Sequence, residues 1–215
     1  NSINGTISGG EDGGLVIQRG STLSGGITNA GLIISLEEGI GIYGSTLFDG
    51  ITNSGTIVGV FGYGLEVKSG STFAGGLHNS GLISGVDAAY AKGFILSKSA
   101  LSGGILNTGT ISGKSGIYLK SGSTLSGGVT NAGLIQGTSV AGIYLNASTL
   151  DGGISNLGTI SGDYNGIDVK QSTLTGGITN SGFIGGISYG IYAFASTLTG
   201  GINNSGTISE GIYAS

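Results

Sequence analysis

The stretch STLSGGITNAGLI, residues 21–33, is one of eight variant copies along the chain. Further copies begin at Ser45, Ser71, Ser99, Ser123, Ser148, Ser172 and Ser196, at spacings of 24, 26, 28, 24, 25, 24 and 24 residues. A period in this range is the mark of a solenoid and takes precedence over other readings. Within each unit the apolar residues alternate with period two, so the units are strands with one buried face, and no window has a helical period. Three segments qualify in each unit: S-T-L-x-G-G-I, G-x-I and G-I-Y-L. The sequence therefore predicts an all-β, right-handed parallel β-helix (β-solenoid) of roughly nine coils, with three short strands per coil of about 24 residues. Residues 1–215 form a single domain whose partial coil covers 1–20. Handedness rests on the general rule for parallel crossovers alone. Coils about 4.8 Å apart make a rod on the order of 40 Å long.

Five inward columns follow from the alternation. They begin at Leu23/Leu47, Ile27/Ile51, Ile33/Ile57, Ile42/Leu65 and Val67/Leu96. Asn29 recurs as Asn53, Asn79, Asn107, Asn131, Asn156, Asn180 and Asn204. A catalytic helper is needed once, whereas a residue needed in every coil is architectural, and stacked amides form a hydrogen-bonded ladder. The glycines equivalent to Gly26 and Gly31 mark the same corner, where positive φ or close backbone approach excludes a Cβ.

Composition narrows the function. The chain has 215 residues, 49 of them Gly, with no Pro, Cys, Met or Trp, 38% hydrophobic and only 8% charged. The absence of Cys removes disulfides and thiolate metal sites. A net charge of −4 argues against nucleic acid as a partner. No apolar run is long enough to cross a membrane as a helix. Asn1 in first place, with Met absent throughout, reads as a processed or excerpted piece. Neither end shows a capping segment, which suggests either a cut from a longer rod or subunits stacked end to end into a filament.

The string G-I-x-N-x-G-x-I followed by G-I-Y-L, as in GGITNSGFIGGISYGIYA (176–193) and GGINNSGTISEGIYA (200–214), resembles the passenger repeats of Gram-negative autotransporters and related surface adhesins. The resemblance covers nearly the whole chain. It implies an extracellular or cell-surface, non-enzymatic element for adhesion or self-association, membrane-attached only through a translocator that this sequence lacks. It carries over no active residue and no cofactor.

Specific contacts are expected where the copies diverge. Between the G-x-I and G-I-Y-L strands lie Glu11, Asp12, Glu37, Glu38, Asp87, Asp163 and Glu210, seven of eleven acids. After G-I-Y-L lie Arg19, Lys68, Lys98, Lys120 and Lys170, five of seven bases. The rod should carry an acidic and a basic edge, which keep it soluble or draw rods together laterally. On the face between them an outward column is predicted through Tyr43, Glu66, Ile95, Tyr118, Tyr144, Asp168, Tyr192 and Tyr213. Its tyrosines either stack on one another or meet a sugar or another rod. Tyr90, in the longest insert, joins Asp87 as a candidate contact. The partners expected are another copy, in lateral or end-to-end array, or a host or matrix glycan or protein.

Other motifs fall away. GIGIYG (39–44) has the glycine pattern of a dinucleotide fold but no following helix, and GTISGKS (109–115) is one residue short of a phosphate loop. His78 is the sole histidine and cannot build a metal site or a triad alone. Polysaccharide-cleaving β-helices need clustered carboxylates or Arg, and here the acids are scattered. Neither catalytic, metal nor cofactor residues are assigned. Glu11–Asp12 and Glu37–Glu38 are the one arrangement that suggests weak Ca²⁺ binding.

Overall fold

The structure is a computed structural model that describes residues 1–86 and 90–215. Strands stack in parallel into a β-solenoid of about nine turns, with no helix among the described residues. Four sheets line the rod, where the sequence pattern predicts three. Two sheets have nine strands, running from Thr6–Ser8 to Thr207–Ile208 and from Leu15–Gln18 to Ile212–Ala214. Two have eight, from Thr22–Leu23 to Thr197–Leu198 and from Ile27–Asn29 to Ile202–Asn204. The extra sheet arises because the double glycine breaks S-T-L-x-G-G-I into two strands. Gly104, for example, has φ +73, and a Cβ there would lie 2.6 Å from the Gly127 carbonyl oxygen of the next coil.

The strands of the second sheet number the coils 1 to 9: Leu15–Gln18, Ile40–Tyr43, Tyr63–Lys68, Lys92–Ser97, Ser115–Lys120, Ala141–Asn146, Asn165–Lys170, Tyr189–Phe194 and Ile212–Ala214. Aliphatic side chains fill the interior in continuous columns, with Phe73 and Phe94 wholly buried among them. One column differs from the sequence reading. Leu65 pairs with Ile40, and Val67 with Ile42, so Ile42 continues the fifth column and Ile40 the fourth. A shift of two residues keeps every side chain on its own face, so alternation cannot distinguish the two registers.

Two polar ladders run beside this core. In the first, each of Asn29 to Asn180 donates from Nδ2 to Oδ1 of the next asparagine, at 2.7–2.8 Å. The same nitrogens reach main-chain carbonyls of their own coil and the next, as Asn107 does to Gly109 and Leu134 at 3.1 Å. Asn1 extends the ladder by donating to Asn29. Gly109 follows this corner without positive φ. Its reason is proximity, since a Cβ there would press into the Gly81 carbonyl one coil back. In the second ladder, serine hydroxyls accept from the amide of the equivalent serine one coil earlier, as for Ser21 to Ser45, Ser45 to Ser71, Ser71 to Ser99 and Ser148 to Ser172. The Ser of each repeat is thus a backbone partner, in a role the sequence pattern does not announce.

Candidate interaction face

The second sheet has the longest strands, six residues each in coils 3 to 8. Its outer surface carries three columns. The middle one runs Gly41, Glu66, Ile95, Tyr118, Tyr144, Asp168, Tyr192 and Tyr213. On the C-terminal side of the strands lies Gln18, Tyr43, Lys68, Ser97, Lys120, Asn146, Lys170 and Phe194. On the other side Tyr63 pairs with Lys92, Lys92 with Ser115, and Asn165 with Tyr189.

Tyr43 therefore does not belong to the tyrosine column in which the sequence reading put it. Its backbone pairs with Lys68, and Gly41 occupies the predicted slot. The ring nevertheless lies back over Gly41, where a Cβ would come within 2.5 Å of the phenol oxygen. Glycine at 41 leaves the room that the ring fills. Burial pushes the Tyr43 phenol well above the ordinary tyrosine range, and the neighbouring carboxylates Glu66 and Glu38 add to the shift.

The rings on this face lie against one another and against ammonium groups. Tyr118 and Tyr144 stack at 4.8 Å with planes 4° apart, and Tyr192 and Tyr213 at 5.1 Å and 9°. Lys170 sits 5.4 Å from the Tyr144 ring and 5.3 Å from Tyr192, bridging the two stacks. Lys120 and Lys92 flank Tyr118 at 5.7 and 6.0 Å, and Lys68 lies 4.2 Å over Tyr43. Burial raises the Tyr144 phenol to about 12, with Tyr118 and Asp168 contributing.

Two carboxylates of the middle column lie beneath these side chains. Glu66 is 5% exposed and meets Lys68 at 2.8 Å. Burial raises its pKa despite the opposing Lys68 charge. Asp168 is 1% exposed, accepts from Asn165 Nδ2 at 2.9 Å and pairs with Lys170 at 3.1 Å. Buried charges of this kind demand partners, and each lysine supplies one from two residues along the strand. Among the described residues Lys92 has no such acid. It is 9% exposed, donates to the Tyr90 and Ala91 carbonyls, and is held down to about 8 by burial, with help from the charges of Lys114 and Lys120.

The two edges of the face differ. At the variable corner before the strands, Glu11, Asp12, Glu37, Glu38 and Asp163 share the edge with an apolar ridge: the expected contact Tyr90 and, missed by the sequence reading, Phe61, Tyr164 and Ile187 are each at least half exposed. Asp87 lies outside the described residues. At the opposite corner each of coils 1 to 8 has one or two residues with a left-handed backbone, among them Arg19 (φ 63) and Lys98 (φ 50). An open depression across coils 1 and 2 is lined by Glu11, Asp12, Arg19, Glu38 and Tyr43. Among the described residues no three His, Asp or Glu side chains converge to hold a metal ion. His78 lies on the fourth sheet between Thr52 and Leu106, far along the coil from the tyrosines.

The chain matches no protein-family model, no curated protein and no solved structure. What it can do must therefore be argued from this surface. An aromatic column that takes up a sugar by stacking needs a free ring face. Here the faces of Tyr118, Tyr144 and Tyr192 meet other rings and lysine ammonium groups.

Proposed function

We propose that this β-solenoid is a non-enzymatic structural and adhesive element, working outside the cell, that associates through its tyrosine–lysine face. One observation carries the reading: chemical variety is concentrated on this face and its two edges, while the asparagine, serine and glycine corners repeat in coil after coil. A surface freed from the repeat is where specific contacts can be selected. The exposed apolar ridge beside the acids adds area that water disfavours. The likeness of the G-I-x-N-x-G-x-I and G-I-Y-L strings to autotransporter passengers supports placement at a bacterial surface, with another copy or a host or matrix molecule as partner. The covered ring faces make another protein surface a better fit than a stacked glycan.

Sedimentation velocity at low and high salt tests the reading. Oligomers that dissociate as salt rises are expected, because the edges are oppositely charged. A monomer at all concentrations and salt levels refutes self-association.

A further inference from the structure

We infer that two copies pair with their tyrosine–lysine faces together and their rods parallel, coil against like coil, about a two-fold axis along the rod. The inference rests on the self-association proposed above and adds the orientation. It follows from how charge is laid out on the face, together with the two ways such faces can meet.

The acidic, apolar edge lies at the start of the second-sheet strands and the basic edge at their end. Turning a partner about an axis along the rod brings its basic edge over this copy's acidic edge. Turning it about an axis along the strands brings like edges together and reverses the coil order.

The positions of the charges separate the two. In the parallel pair, coil 1 sets Glu11 and Asp12 against the second copy's Arg19, and coil 7 sets Asp163 against its Lys170. In coil 8, Ile187, 75% exposed, faces the second copy's Phe194, 46% exposed. The mismatches are coil 4, where Lys92 faces the second copy's Lys98, and coil 5, where Lys114 faces its Lys120; Glu66 and Asp168 meet their own copies but are each paired with a lysine of their own strand. In the antiparallel pair at full overlap, Lys68 of coil 3 opposes Lys170 of coil 7, Lys120 of coil 5 opposes itself, and Glu11 and Asp12 meet Glu210. Like charges set face to face disfavour that arrangement.

The size is also suitable. Six-residue strands make the face about 20 Å wide, and nine strands make it about 38 Å long. The resulting ~760 Å² per copy is close to the roughly 800 Å² per partner of a stable interface.

The chain has no Cys, so single-cysteine variants carry a spin label at one place only. Thr28→Cys and Asn203→Cys lie toward opposite ends of one exposed column of the fourth sheet, away from the tyrosines. In a parallel pair, 28-to-28 and 203-to-203 distances are short and equal, and mixed 28-to-203 distances are longer. The reverse pattern overturns the parallel orientation while leaving self-association standing. No oligomer at all overturns both. As a second readout, Asp163→Lys should weaken pairing by about tenfold, roughly 1.4 kcal/mol, with an unchanged melting temperature to show that the rod is intact. Unchanged pairing affinity in that variant overturns the coil-against-coil register.

Discussion

The asparagine corner and the tyrosine–lysine face lie on the same rod and are built by opposite rules. At the asparagine corner one side chain recurs in coil after coil, and from Asn29 to Asn180 it is buried and bonds to its own kind above and below. On the face no column keeps one residue, and neighbours are joined by stacking, cation–π contact and ion pairs between unlike groups. A ladder of identical groups satisfies itself, because the donor of one coil is the acceptor's partner in the next. A face of unlike groups is satisfied only by its particular sequence of neighbours. Damage to the corner should therefore spread through the fold, whereas damage to the face should remain local.

The sharpest way to break this contrast is Gly109→Ala. Its Cβ would press into the Gly81 carbonyl, which cannot move without disturbing the strand behind it. We expect a loss of about 4 kcal/mol or more, read from urea unfolding. A loss below about 1 kcal/mol would mean that the corner yields more readily than its close backbone packing implies. Next is Asn107→Ala in mid-ladder. It leaves the buried Oδ1 of Asn131 without the donor that reaches it at 2.8 Å, takes one of three acceptors from Asn79 Nδ2, and opens a gap in a buried column. The expected cost is about 2–3 kcal/mol.

The smallest effect expected is on the face, at Lys92. Its folded pKa of about 8 lies below the 10.5 of the free side chain. Between those values the unfolded chain holds the extra proton, so raising the pH through the window should increase stability. The gain from about pH 8 to 10 is roughly 1–2 kcal/mol, and it should vanish in Lys92→Met. Above pH 10 the trend reverses, because the buried phenols of Tyr43, Tyr63 and Tyr144 have raised pKa values and resist ionisation in the fold. If Lys92→Met keeps the same rise between pH 8 and 10, Lys92 is not its source.

How much of this was legible varies by residue in the same way. Asn29 and its equivalents stand out because a ladder requires repetition, and repetition is visible in one sequence. The glycines stand out for the same reason, although their two physical causes, positive φ at Gly104 and close approach at Gly109, look alike in the text. The fourth sheet was hidden because a strand pattern continues across the double glycine even where the backbone breaks. Tyr43 was misplaced because G-I-G-I-Y offers two alignments of equal parity, and only pairing with Lys68 selects one. Glu66 and Asp168 read as outward acids. Their burial comes from lysines and rings in their own and adjacent coils, brought over them by the winding. The ridge of Phe61, Tyr164 and Ile187 escaped notice because inserts of unequal length break the alignment of the copies.

The sequence by itself determined the period, the parallel solenoid and the residues that line its interior. Each of these is a demand made on every coil, and a demand repeated eight times is written eight times. Only the tertiary structure decided which unlike residues meet across coils: Tyr118 on Tyr144, Lys170 between two stacks, Asp168 beneath them. Those neighbours are about 24 residues apart in the chain and one strand spacing apart in space. The step between them is fixed by hydrogen-bond register, which local sequence pattern does not encode.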